Sequence, residues 1–144
     1  EDLKSDRELS ILFITHDMGV IAEIADRVNV MYAGEIVERA PVKELFSNPA
    51  HPYTRGLLSA VPRTTETGSA LETIEGEVPT PHTEPTDCRF APRCPKVFDA
   101  CEEVHPQHVD VGSGKNHTAS CLLYPEEHTE SDRINIHEEV NEDA

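Results

Sequence analysis

Residues 10–18 read Ser-Ile-Leu-Phe-Ile-Thr-His-Asp-Met, an unbroken apolar run closed by three polar side chains. β-Branched and aromatic residues without alternation predict a strand buried on both faces, as in a parallel sheet. Asp17 has the side chain of a helix N-cap, and Ile21, Ile24, Ala25 and Val28 follow at helical spacing. Strand, polar break and amphipathic helix predict an α/β fold. In open α/β sheets ligands bind beyond the carboxyl ends of the strands, and His16 stands at that end. An imidazole there can donate or accept a hydrogen bond near neutral pH and contact a terminal phosphate. Spacing alone equally describes a surface or capping histidine.

Working outward, residues 27–39 alternate over most of their length, and Ala33-Gly34 falls between two runs, which predicts a hairpin. Pro41 and Pro52 each suit the first position of a short helix. The second of these helices would put Tyr53, Leu57, Ala60 and Val61 on one face, and Pro62 would end it. Residues 1–9 suit the last turns of a helix and a loop. Residues 64–86 are rich in Thr, Glu and Pro, with one apolar cluster at Ile74–Val78, and read as a linker. Residues 87–124 hold all four cysteines and little periodicity. Residues 125–144 carry eight acids and one Arg, a composition that predicts disorder.

The 144 residues include 12 Lys+Arg against 28 Asp+Glu, a formal charge of −16 that excludes a nucleic-acid surface. No apolar run approaches the ~20 residues needed to cross a bilayer. The first residues show no signal peptide, and the opening Glu1 reads as the interior of something larger. Acids spread along the whole chain, with only four Lys among its basic residues, predict adaptation to high salt. The blander account is solubility through net repulsion.

Ile11-Leu-Phe-Ile-Thr-His-Asp-Met18, Ala25-Asp-Arg-Val28 and Val30-Met-Tyr-Ala-Gly-Glu-Ile-Val37 come in order and resemble the end of an ABC-transporter ATP-binding subunit. The resemblance makes His16 the switch-loop histidine, which contacts the γ-phosphate and positions the attacking water with an upstream carboxylate. Asp17 matches its usual acidic neighbour. The fold class that follows is α/β: the C-terminal remnant of a P-loop ABC ATPase domain and a small irregular cysteine-containing extension. No G-x-x-x-x-G-K-[ST] stretch occurs in the chain, so residues 1–144 alone are expected not to hydrolyse ATP.

Glu44-Leu-Phe-Ser-Asn-Pro-Ala-His-Pro-Tyr-Thr-Arg-Gly-Leu-Leu58 resembles the H-P-Y-T segment of ATP-binding subunits from oligopeptide, dipeptide or nickel importers. Ile74-Glu-Gly-Glu-Val-Pro79 and Cys88-Arg-Phe-Ala-Pro-Arg-Cys-Pro95 are similar to the opening of their C-terminal extension. The organisation implied is an ATPase part at 1–63, a linker at 64–86, the extension at 87–124 and an acidic tail at 125–144. The resemblance also implies ATP with Mg in the intact subunit, transmembrane permease subunits and a second ATP-binding subunit as partners. The place of work would be the cytoplasmic face of the membrane, as a peripheral protein. A different class of function is a non-catalytic metal-binding or regulatory module associated with a transporter, which the missing P-loop favours if the chain is complete.

Cys88, Cys94, Cys101 and Cys121 are spaced for neither of the short paired knuckles common in zinc sites. Two disulfides, zinc and an iron–sulfur cluster remain open from spacing. The resemblance implies a [4Fe–4S] cluster on these four residues, as in some members. Residues 87–124 hold few large apolar side chains for a free-standing core, so either a metal centre or docking onto the ATPase part must stabilise them. Arg89 and Arg93 flank the first two cysteines and are candidates to offset cluster charge, or plain surface arginines. His105, His108 and His117 read as scattered surface histidines, His51 as a cap or packing residue, and His128 and His137 as unspecific.

Overall fold

The hairpin forms as expected. β1 (Arg27–Tyr32) pairs antiparallel with β2 (Glu35–Pro41), with one register shift between Val30 and Met31. Ala33 and Gly34 take φ of 47° and 85°, the left-handed pair that a two-residue turn between twisted strands requires. Only Gly adopts this without cost, so Ala33 needs support. Arg89 supplies it: one guanidinium nitrogen donates to the Ala33 carbonyl at 2.5 Å and another lies 3.5 Å from the Glu35 carboxylate.

These relations come from a computed structural model that describes residues 10–60, 74, 76–80, 84–111 and 116–124. Residues 1–9, Val61, Pro62, most of the 64–86 linker and the acidic tail lie outside the described residues.

Two short strands from the cysteine-bearing segment, β3 (His108–Asp110) and β4 (Thr118–Ser120), complete the sheet in the order β1-β2-β4-β3. All pairs are antiparallel, and β4 sets Ala119 opposite Glu38 and Thr118 opposite Arg39. Docking onto the hairpin thus contributes to holding the described part of residues 87–124. Val30, Tyr32, Val37, Ala40 and Leu45 share one core with Phe90, and a neighbouring cluster holds Ala91, Ala100, Cys101 and Leu122. Cys88 touches both clusters. Phe90 stands edge-on to Tyr32 at 5.1 Å and tilted against Tyr53 at 5.5 Å, favourable ring geometries.

Helix α1 (Met18–Ile24) begins where Asp17 predicts, its carboxylate accepting from the Val20 N–H at 3.1 Å. None of its residues is buried. In α2 (Val42–Ser47) Pro41 stands at the N-cap, one position before the expected place, and Leu45 enters the core. In α3 (Pro52–Ser59) Pro52 opens the helix as expected, and Tyr53 and Leu57 lean on the core. Helix α4 is a single turn, Ala100–Glu103.

One expectation fails. Residues 10–15 form no strand: Leu12 and Ile14 are 85% and 91% exposed, and Ile11 and Phe13 are exposed too. A strand exists by pairing its backbone groups with a neighbour, and this run pairs with no described strand. Apolar composition supplied the reason to be buried without a partner to bury against. The parallel sheet expected from it is likewise absent among the described residues.

Candidate functional site

His16 sits in the tight turn that starts α1. The Thr15 hydroxyl accepts from the Asp17 N–H at 3.0 Å while Asp17 caps the helix, so the turn is fixed on both sides of His16. The imidazole itself is exposed, and it makes no hydrogen bond or ion pair among the described residues. The turn thereby presents His16 outward at the helix start. Asp17 acts on the backbone.

The four cysteines stand at separate places in residues 88–121, near enough for the charges of three of them to be felt at Cys121. The Cys88 N–H donates to the Cys101 carbonyl at 2.9 Å, and the Cys94 N–H to the Ala91 carbonyl at 3.1 Å. Cys101 and Cys121 are buried, Cys88 and Cys94 half-buried, and none is in a disulfide. Burial pushes the Cys121 thiol up to about 12, and the charges of Cys88, Cys101 and Cys94 add to the rise. Burial likewise raises Cys88 and Cys94, against backbone N–H groups that favour their thiolates. Low-dielectric surroundings disfavour the charged form of a thiol. Among the described residues no three or more His, Cys, Asp or Glu side chains are grouped as a metal ion requires.

Arg89 and Arg93 face the hairpin. Arg93 donates to the Ile74 carbonyl at 2.9 Å, reaches the Tyr32 hydroxyl at 3.4 Å and lies over the Tyr32 ring at 5.9 Å. Both arginines fasten the extension to β1 and β2, a role that adjacency to cysteine in the sequence did not suggest.

The histidines divide. His51 caps α3, its Nδ1 accepting from the Tyr53 N–H at 3.1 Å, and packs 5.6 Å from the Phe90 ring. Burial lowers its pKa to about 4, which keeps it neutral. His117 is not the surface residue expected. It is 2% exposed, and its Nε2 donates to Glu38 Oε1 at 2.7 Å. Glu38, fully buried, also accepts from the Ala50 and His51 N–H groups at 2.8 and 2.9 Å. One carboxylate thus joins β2, the H-P-Y-T turn and the strand entering β4. His105 and His108 line a cavity of about 270 Å³ beside β2. His128 and His137 lie outside the described residues.

A mixed helix and strand chain with one small antiparallel sheet fits the C-terminal part of an α/β ABC ATPase. Residues 37–101 match the sequence model of the oligopeptide/dipeptide transporter, C-terminal region. The chain is similar to the C-terminal part of peptide-transport ATP-binding proteins. It is 49% identical over 130 residues to the oligopeptide transport ATP-binding protein AppD of Bacillus subtilis, covering 90% of this chain and 39% of AppD. It is 43% identical over 114 residues to the dipeptide transport ATP-binding protein DppD of Haemophilus influenzae, covering 79% of this chain and 34% of that protein. DppD of Bacillus subtilis is 41% identical over 123 residues, with 85% and 36% covered. The chain thus spans less than two fifths of the length of these curated relatives.

Proposed function

We propose that residues 1–144 are the C-terminal part of an ATP-binding subunit that couples ATP hydrolysis to peptide import by an ABC transporter. The observation that carries this is the 49% identity to an oligopeptide transport ATP-binding protein across nine tenths of the chain. In the intact subunit His16 contacts the γ-phosphate of ATP with Mg, and its exposed position at the start of α1 suits a ligand held by other residues. Phosphoryl transfer needs a phosphate cradle and its metal, which the 144 residues do not contain. The partners are transmembrane permease subunits and a second ATP-binding subunit, at the cytoplasmic face of the membrane. No helix among the described residues is long and apolar enough to cross a membrane. No match favours the alternative of a non-catalytic metal-binding module.

Replacing His16 by Ala in the intact subunit tests the catalytic assignment. Nucleotide binding by fluorescence titration should persist while steady-state ATP hydrolysis and peptide uptake fall together. Equal loss of binding and turnover would remove His16 from the switch role.

Cys88, Cys94, Cys101 and Cys121 are the residues that would hold a [4Fe–4S] cluster. Supporting this is the donor set, four thiols that influence one another; burial drives three of them toward the protonated form, a cost that cluster binding would have to offset. The described residues hold no ready-made metal group, so cluster assembly must draw the thiols together and deprotonate them. When bound, such a cluster would cross-link a segment with a small core and supply a one-electron centre. Anaerobic purification with iron and sulfide analysis decides: about four of each per chain supports the cluster, and their absence from a folded chain rejects it.

A further inference from the structure

We propose that the cavity beside β2 is a binding site for a small oxyanion, a carboxylate or a phosphate, with Arg39 as its anchor. The cavity, about 270 Å³, is lined on its polar side by Arg39, Arg89, His105 and His108 against a single carboxylate, Glu35. That balance runs opposite to the chain, where acids outnumber Lys and Arg by 28 to 12. Glu35 is already countered: Arg89 Nε and His105 Nε2 each lie 3.5 Å from its carboxylate oxygens. Arg39 is different. Its side chain is exposed and makes no hydrogen bond or ion pair among the described residues, while its backbone is pinned between β1 and β4.

A strand paired on both sides therefore places Arg39 in the cavity lining, and its guanidinium is the donor type that matches oxyanions. His108 is held in place beside it, its ring nitrogens meeting the Ile36 carbonyl at 2.8 Å and the Thr118 hydroxyl at 3.5 Å. The charge of Arg39 is felt at His108, which burial already holds below its ordinary pKa. Buried Phe90 and Pro106 back the cavity, and a low-dielectric wall strengthens a charge interaction made against it. The volume limits the ligand to a few heavy atoms, below the range of drug-sized pockets. A plain surface arginine would satisfy solubility and the attraction of a −16 chain, but it would bind no anion selectively.

The test is a titration of the 144-residue chain with sodium phosphate and, separately, sodium succinate, against sodium chloride at matched ionic strength. Backbone amide shifts of Ile36, Arg39 and His108 are followed by NMR. Saturable shifts with phosphate alone, with succinate alone or with both support the site and tell the two ligand classes apart. Arg39→Gln, at an exposed position, should weaken binding by about fivefold or more, the loss of one charge-assisted hydrogen bond. Glu35→Gln should tighten it, because the competing carboxylate is gone. Shifts no larger than those in chloride, or saturation unchanged by Arg39→Gln, overturn the proposal.

Discussion

His117 Nε2 lies 2.7 Å from Glu38 Oε1, both side chains inside the fold and 79 residues apart in sequence. Two backbone N–H groups, of Ala50 and His51, complete the environment of the same carboxylate. A buried carboxylate is tolerated only when such donors replace water.

Removing that acceptor should therefore be costly. Glu38→Ala strands three donors in the interior and should destabilise the chain by about 3–5 kcal/mol. Glu38→Gln, which keeps an acceptor oxygen but adds donors facing donors, should fall between. Urea unfolding of both variants, with His117→Ala and the double variant, would measure the coupling. Independent, additive losses would mean that the pair does not act as a unit.

Acid should weaken the fold through His51. In the unfolded chain this histidine takes up a proton near its ordinary 6.5, whereas in the native state burial delays uptake to about 4. Between those values protons favour the unfolded chain, so stability is fully present above pH 6.5 and lost as pH falls toward 4. The two-and-a-half-unit gap corresponds to roughly 3 kcal/mol over that window. Thermal unfolding from pH 7.5 to 4 should show the slope, and His51→Asn, which retains a capping acceptor, should flatten it. An equal slope in His51→Asn would place the proton uptake elsewhere.

Gly56 is required by a close approach. A Cβ there would stand 2.8 Å from both Cγ1 and Cδ1 of Ile74, whose carbonyl is held by Arg93. Alanine would gain about 0.5–1 kcal/mol as a helix residue but lose about 1–3 kcal/mol to overpacking. Gly56→Ala should thus lower the melting temperature, and Ile74→Ala in the same chain should suppress the effect of Gly56→Ala. If Gly56→Ala is neutral or stabilising, α3 and Ile74 do not meet as described.

Salt should stabilise the chain. With a formal charge of −16, self-repulsion opposes compaction, and raising salt shortens the screening length from ~10 Å at 0.1 M to ~3 Å at 1 M. The melting temperature should rise steadily from low to molar KCl, as high-salt adaptation anticipates. A flat or falling profile would leave the acidic balance as a solubility device.

Local signals in the sequence were read well, and distant pairings were not. Asp17 as an N-cap, Pro52 at a helix start and the Ala33-Gly34 turn each depend on neighbours within a few residues, and each was legible. Glu38 left a faint trace, since it shares strand parity with Ile36 and Ala40 and so is a carboxylate on an otherwise apolar face. Nothing local marked His117, because its burial comes from a partner across the sheet. Ile11–Ile14 went the other way: a strong local pattern whose meaning depends on a pairing partner that this run does not have among the described residues. His16 stands as a candidate on the resemblance of its surroundings in sequence, and an exposed turn is what the structure adds.

The order β1-β2-β4-β3 also sets a timetable for synthesis. Among the described strands β4 is the last to leave the ribosome yet lies between two earlier ones, so this sheet cannot close until Ser120 has emerged. At ~5–20 residues per second, β2 waits on the order of several seconds with its outer edge unpaired. Bare strand edges invite pairing with other chains. Nascent chains stalled between Pro41 and Thr118 would be the species most exposed to aggregation, and emergence of β4 is itself the step that protects the hairpin.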